Sequence, residues 1–317
     1  MFSQIEIDLK KLDNNLKQMT GPRHPILNAA AEHLFKAGGK RIRPSIILLV
    51  AKATNNKTEL KNEHKRLAEI TEIIHTASLL HDDVIDECNT RRGMETVNSE
   101  FSNKIAVLAG DFLFAQSSWY LANLNNLEVV KIISKVITDF AEGEVTQGLT
   151  NFDTSISMDN YINKSFYKTA SLIASSCKAS TILNDADLFT QNAFYNYGKH
   201  IGLAFQIIDD ILDIIGNSTT LGKPAGLDLK NGNLTSPLLF ALKESEILNE
   251  LVEREFSEDG DLKYGIKIIK STNGIKQATD LAIEHTQTAI KYITGCKESE
   301  ALNDLKKISE FIINRLN

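Results

Sequence analysis

Proline is scarce in this 317-residue chain, with five in all, at Pro22, Pro25, Pro44, Pro224 and Pro237. None falls between residues 45 and 223, so that stretch holds no residue that must break a helix. Cysteine is scarcer still. Cys88, Cys177 and Cys296 stand far apart with no paired spacing, so neither a disulfide framework nor a zinc knuckle is suggested, and a reducing compartment fits best. Basic charge is in deficit, 35 Lys and Arg against 41 Asp and Glu, a net charge of −6. A nucleic-acid partner is therefore not expected, and any phosphate site must be basic only locally. Long apolar runs are missing as well. The longest, Ile46 to Ala51, is far short of the ~20 residues of a membrane span, so membrane contact is expected to be peripheral at most. Residues 1 to 19 mix acidic and apolar residues, unlike a signal or transit peptide, and a soluble chain without a leader is expected.

What is present is helical periodicity. Residues 1–19 place Ile5, Leu9, Leu12 and Leu16 on one face, and Gly21-Pro22 closes that pattern. Gly38-Gly39 makes the next break, and Pro44 stands where the first turn of a new helix tolerates it. Further helices are predicted over 63–87, 103–123, 126–149, 158–183, 188–215, 234–253, 261–270, 274–293 and 297–316, with no strand alternation between them. Residues 1–317 are expected to form one helical domain. Gly216 to Gly232 is the one long stretch of turn residues, and loops of that length are often functional.

Two acidic segments stand out. In His81-Asp82-Asp83-Val84-Ile85-Asp86, the carboxylates of Asp82 and Asp86 lie on one helix face and Asp83 about 100° round. Taken alone, this is either a solvated helix end or a cation site, because unpaired carboxylates on one turn repel. The second segment, Gln206-Ile207-Ile208-Asp209-Asp210-Ile211-Leu212-Asp213, repeats the spacing inside almost wholly apolar flanks. Anions bracketed that way need pairing or metal. Two such clusters could share magnesium, which takes a few carboxylates and completes its shell with phosphate oxygens and water. A phosphorylated substrate follows.

Cations stand beside both clusters. Gly39-Lys40-Arg41-Ile42-Arg43-Pro44 offers three at a helix start, where backbone N–H groups also favour an anion. Arg91-Arg92-Gly93 follows the first cluster, and Lys223 with Lys230 follows the second. Each alone is an ordinary helix junction; together they suggest two anion sites beside the metal. Lys168-Thr169 falls inside a helical stretch, and His75 lies seven residues before Asp82 on nearly the same face.

Gly-Gly-Lys-Arg-x-Arg-Pro, Asp-Asp-x-x-Asp followed by Arg-Arg-Gly, Lys-Thr, Phe-Gln-x-x-Asp-Asp-x-x-Asp and Gly-Lys-Pro-x-Gly-x-Asp-Leu stand in this order along nearly the whole chain. In this the chain resembles the trans-prenyl diphosphate synthase family, the farnesyl and geranylgeranyl diphosphate synthase superfamily of isoprenoid chain elongators. The resemblance implies an all-α, single-domain bundle around a deep central cavity, usually a homodimer. It implies that Asp82 and Asp86, supported by Asp83, ligate magnesium on the allylic diphosphate. Asp209 would hold a further magnesium, backed by Asp210 and Asp213. Lys40, Arg43, His75 and Arg92 would bind isopentenyl diphosphate. Arg91, Lys168, Thr169, Gln206 and Lys223 would contact the allylic diphosphate, and Asp82, Asp86, Asp209 and Lys168 would be the catalytic set. One departure is visible: many relatives carry a lysine after the loop glycine, where this chain has Asn233, and Lys230 is the nearby candidate to replace it.

Product length follows from geometry. The growing tail runs from the metal site down the helix bearing Asp82, at ~5.4 Å per turn, about one isoprene unit. Ala77 and Ser78, the chain-length positions, are small where short-chain relatives carry aromatic side chains, so the tail passes that level. A floor at Ile74, Thr71 or Phe140 allows several more units. A solanesyl-type polyprenyl product for a quinone side chain is expected, with a geranylgeranyl diphosphate synthase as the alternative. A class I terpene cyclase does not need Lys40, Arg43 and Arg92; a His-Asp phosphohydrolase does not explain the second cluster; a regulatory subunit of a heteromeric synthase typically loses aspartates that are complete here. The asparagine-, lysine- and isoleucine-rich composition suggests a plastid-encoded protein in the stroma, or a bacterial cytoplasmic one.

Overall fold

The computed structural model describes residues 3–19, 24–36, 38–55, 59–91, 93–216 and 226–316. They are almost entirely helical. In chain order the helices are α1 (Glu6–Met19), α2 (Pro25–Lys36), α3 (Ile42–Thr54), α4 (Asn62–Ile85), α5 (Val97–Glu100), α6 (Asn103–Ala122), α7 (Leu127–Leu149), α8 (Met158–Ser165), α9 (Ser171–Ile182), α10 (Leu188–Ile215), α11 (Leu227–Lys230), α12 (Ser236–Leu242), α13 (Glu246–Glu253), α14 (Asp261–Ser271), α15 (Gly274–Ile293) and α16 (Glu300–Ile313). Between α4 and α5 a two-stranded antiparallel ribbon pairs Thr90 with Glu95 and Arg91 with Met94. The chain divides into two compact units. Residues 1–137, 172–198 and 292–308 make the first; 138–171, 199–291 and 309–317 make the second.

In the first unit α3 is buried all round, with all six residues from Ile46 to Ala51 no more than 1% exposed. That is why this helix reads as an apolar run rather than an amphipathic pattern. α4 buries Leu67, Ile70, Ile74 and Ala77, the three-and-four spacing of one helix face. Each large aliphatic side chain so buried contributes about 2 kcal/mol relative to exposure. The polar residues among them are paired. Thr71 shares a 2.9 Å hydrogen bond with Ser176 of α9, His64 meets the carbonyl of Ser180 at 3.2 Å, and Ser180 donates to the carbonyl of Ile47. α6 runs along α4 through Ala106, Ala109, Gly110, Leu113 and Ser117, all buried. Among the described residues α6 is also the one helix long and apolar enough to cross a membrane by length and composition.

In the second unit the 199–215 part of α10 buries Ile201, Ala204, Ile207, Ile208, Ile211 and Ile214. Gly202 permits a close crossing there, since a Cβ on it would stand 2.5 Å from Ala170 Cα. The backbone N–H of Phe152 donates to Gly232 at 2.9 Å and ties the α7–α8 turn to the loop after α11.

Several local features differ from the periodicity. The stretch 158–183 is one helical course as far as Ile182, but Phe166–Ala170 forms a single π turn within it, between α8 and α9. The stretch 234–253 divides into α12 and α13, because Ser245 accepts from the backbone of Leu248 and starts a new helix. The ribbon at 90–95 is too short for alternation to reveal.

Candidate active site

The first aspartate segment ends α4 in the first unit. Its three carboxylates are not equivalent. Asp83 is 1% exposed and takes Arg91 on one oxygen, with Nε at 2.8 Å and Nη2 at 2.7 Å. Burial raises its pKa, and the bond and charge of Arg91 pull it back down. Asp82 and Asp86 are half-buried, and Asp86 caps α4 through its own N–H to the carbonyl of Asp82 at 2.8 Å. Arg91 is placed by the ribbon, which Asn98 and Thr96 fasten to the carbonyl of Cys88. Arg92 lies outside the described residues.

Arg43 and His75 meet directly, Nη1 to Nε2 at 3.0 Å, so two of the four residues assigned to isopentenyl diphosphate share one spot. A cavity of about 30 Å³ beside them is lined by Arg41, His75, Asp83 and Arg91. Lys40 is exposed at the turn before α3. Arg41 stands apart in role, held by Glu72 at 2.5 Å and Asp13 at 2.8 Å across α4 and α1.

The second segment lies on α10 in the second unit and divides in the same way. Asp210 is 3% exposed and accepts from Tyr161 at 2.6 Å and Gln206 at 2.8 Å. Burial pushes its pKa up to about 7, with the charge of Asp228 adding to the rise. Thr169 donates to Gln206 at 2.6 Å, so Thr169, Gln206 and Asp210 form one hydrogen-bonded chain. Asp213 is 1% exposed and receives the backbone N–H groups of Gly226, on its carbonyl, and of Asp228, on its carboxylate, which anchors the chain where it re-enters α11. Asp209 is half-buried and faces Arg315, whose Nη2 stands 2.6 Å from its oxygen while the guanidinium covers the Phe205 ring at 4.6 Å. Lys168, on the π turn, pairs with Glu144 at 2.9 Å. Lys223 lies outside the described residues.

Four residues that sequence reasoning passed over belong to these networks. Tyr161 and Lys164 lie on α8, with Lys164 one turn before Lys168, a spacing that is visible in the sequence. Lys164 is 8% exposed and donates to Asn233. Burial lowers its pKa, and the charges of Asp210 and Asp228 oppose that. Asp228 is the aspartate of the Gly-Lys-Pro-x-Gly-x-Asp-Leu motif, to which the sequence assigned no role, and Arg315 carries no pattern that marks it. Lys230, offered as the substitute for a lysine at 233, is exposed at the end of α11, and Lys164 is the cation that meets Asn233.

The polyprenyl synthetase family model matches residues 24–269. The chain belongs to that family. The chain is 59% identical over 316 residues to a prenyl transferase of Porphyra purpurea, covering all of this chain and 98% of that one. It is 47% identical over 319 residues to solanesyl diphosphate synthase 2, chloroplastic, of Arabidopsis thaliana, covering all of this chain and 76% of that one. The solved polyprenyl synthase of Caulobacter crescentus, complexed with calcium and isoprenyl diphosphate, superposes with a TM-score of 0.92 at 31% identity, covering 98% and 95% of the two chains. This family member is therefore an all-helical transferase of prenyl groups.

Proposed function

We propose that this enzyme condenses isopentenyl diphosphate with an allylic prenyl diphosphate, repeatedly and with trans geometry, to a long-chain polyprenyl diphosphate of the solanesyl type. The observation that carries the reading is the matching division of the two aspartate segments. Asp83, Asp210 and Asp213 are buried in protein contacts, while Asp82, Asp86 and Asp209 stay partly open. Carboxylate oxygens in ones and twos suit magnesium, which keeps positions for phosphate and water.

On this reading Asp82, Asp86 and Asp209 hold magnesium, and Asp83, Asp210 and Asp213 fix the ends of the helices that carry them. Bound magnesium would neutralise charge growing on the departing diphosphate. Lys168 and Arg91 face the allylic diphosphate, joined by Arg92 and Lys223. Cations already in place cost no reorganisation as the C–O bond opens. Thr169 and Gln206 orient that group through their shared hydrogen bond. Lys40, Arg43, His75 and Arg92 hold isopentenyl diphosphate, whose double bond attacks the allylic carbon before a proton leaves, most simply to the diphosphate.

The reading requires the two units to work as one domain, and it takes the enzyme to be a homodimer in the plastid stroma, in keeping with the chloroplastic relative. Long products are supported by Ala77, fully buried on α4, and by the small Ser78, which donates to the carbonyl of His75 rather than blocking the helix face. Separate Asp82→Asn and Asp209→Asn variants test the chemistry. Each is expected to lower elongation of farnesyl diphosphate at least about a hundredfold with folding intact. Full turnover by either variant contradicts the proposal.

A further inference from the structure

Lys164 is a buried cation that no step of the mechanism above uses. Its ammonium donates to Asn233 Oδ1, and among the described residues that is the one hydrogen-bond acceptor it has. Two of its three N–H groups therefore remain for something else. Asn233 is itself held from the other side, where its Nδ2 donates to Asp228 Oδ1 at 3.1 Å and its backbone N–H to the Asp228 carbonyl at 2.9 Å. The amide orientation is forced: a carboxylate only accepts and an ammonium only donates, so the oxygen of Asn233 must face Lys164.

The surroundings of the ammonium are those of the second aspartate segment. Asp210 and Asp228 attract it, Lys168 one turn along repels it, and Glu144 attracts both lysines. A lysine kept out of water with donors to spare, beside a second lysine, is poorly explained by packing alone. An anion reaching the partly open Lys168, one turn on and paired with Glu144, enters the field of both ammonium groups.

Position 233 decides which anion site this is. Asn233 stands where many relatives carry a lysine, and a lysine there would set a second ammonium against Lys164 and remove its acceptor. We propose that Lys164 binds the allylic diphosphate alongside Lys168, supplying from α8 the cation that the loop does not carry at 233, and that Asn233 holds it in place. This rests on the function proposed above.

The test uses the full chain with magnesium and farnesyl thiodiphosphate, an analogue that binds without readily ionising, beside steady-state elongation. Lys164→Met should weaken the analogue about tenfold or more, the range for hydrogen bonds to charged groups, while the KM for isopentenyl diphosphate stays within about threefold. Asn233→Lys alone should also weaken the analogue. The double variant Lys164→Asn with Asn233→Lys should recover binding to within about threefold of wild type. Lys164→Arg, which keeps the charge, should bind within about threefold even if Lys164→Met folds poorly. Wild-type affinity in Lys164→Met, a tenfold loss in Lys164→Arg, or a double variant no better than its parents overturns the proposal. Wild-type protein that binds the analogue but elongates nothing overturns the function above instead, and leaves the assignment of Lys164 readable from binding.

Discussion

Asp209 and Asp210 are adjacent in the chain and opposite in circumstance. Asp210 is sealed under Tyr161 and Gln206 and titrates near neutrality because burial disfavours its charge. Asp209 is partly open and faces the guanidinium of Arg315. With Asp209 as the proposed magnesium ligand, Arg315 competes with the ion for the same oxygen. Replacing Arg315 with Met is expected to lower the magnesium concentration for half-maximal elongation a few-fold, roughly what a partly exposed ion pair is worth. A magnesium titration checks this, and an unchanged or higher requirement would show that Arg315 serves the site in another way. The two aspartate segments were legible in the sequence because their spacing repeats, whereas His75 entered only through the family resemblance and its contact with Arg43 only through the structure. Arg315 was not legible, since nothing local to Asn314-Arg315-Leu316 announces a partner about a hundred residues upstream. The division of labour within each aspartate segment was only half legible. A helical wheel puts Asp83 off the Asp82–Asp86 face, but it does not reveal that Arg91 is waiting there.

Elements place these groups through a few close approaches. A Cβ on Gly110 of α6 would fall 2.2 Å from the His81 ring, directly beside Asp82. Gly110→Ala should displace that ring, at a cost of about 1–3 kcal/mol for overpacking. Urea unfolding measures it, with lowered activity as the accompanying sign; a fully stable variant would show that the ring moves aside freely. Further down α4, Ala77 is fully buried, and the proposed function makes it the residue that sets how far a tail can run. Ala77→Tyr should shorten the product by one or more isoprene units, about one per turn of helix, and an unchanged product ladder on thin-layer chromatography would contradict that route. Most helices followed from periodicity. The π turn at Phe166–Ala170 did not, because it costs one extra residue in a pattern that otherwise continues. It matters nonetheless, since π turns re-aim side chains and this one carries Lys168 and Thr169. The helix α2 was also unread, lying between two breaks that hid its twelve residues.

At the scale of the whole molecule, stability should record pairs that the chemistry ignores. His200 and His285 face each other in the second unit, Nδ1 to Nδ1 at 2.8 Å. Burial, then the charges of His285 and Lys199, hold the pKa of His200 down to about 4, against 6.5 when exposed. Between those values the unfolded chain binds more proton than the folded one, so this pair removes stability as pH falls through that window. Asp210 acts in the opposite sense, because its folded pKa is raised. Comparing wild type with His200→Gln by denaturant unfolding at about pH 7 and about pH 5 isolates the pair. The variant should lose less stability on acidification, and equal losses would contradict the assignment. For the molecule as a whole, the proposed function is long-chain elongation by two aspartate segments carried on separate units. The most direct measurement is incubation of the purified chain with labelled isopentenyl diphosphate and farnesyl diphosphate, after EDTA and again after magnesium is restored, with the products sized. Magnesium-dependent products well beyond geranylgeranyl length are predicted. No incorporation with magnesium present, or arrest at geranylgeranyl diphosphate, would contradict it.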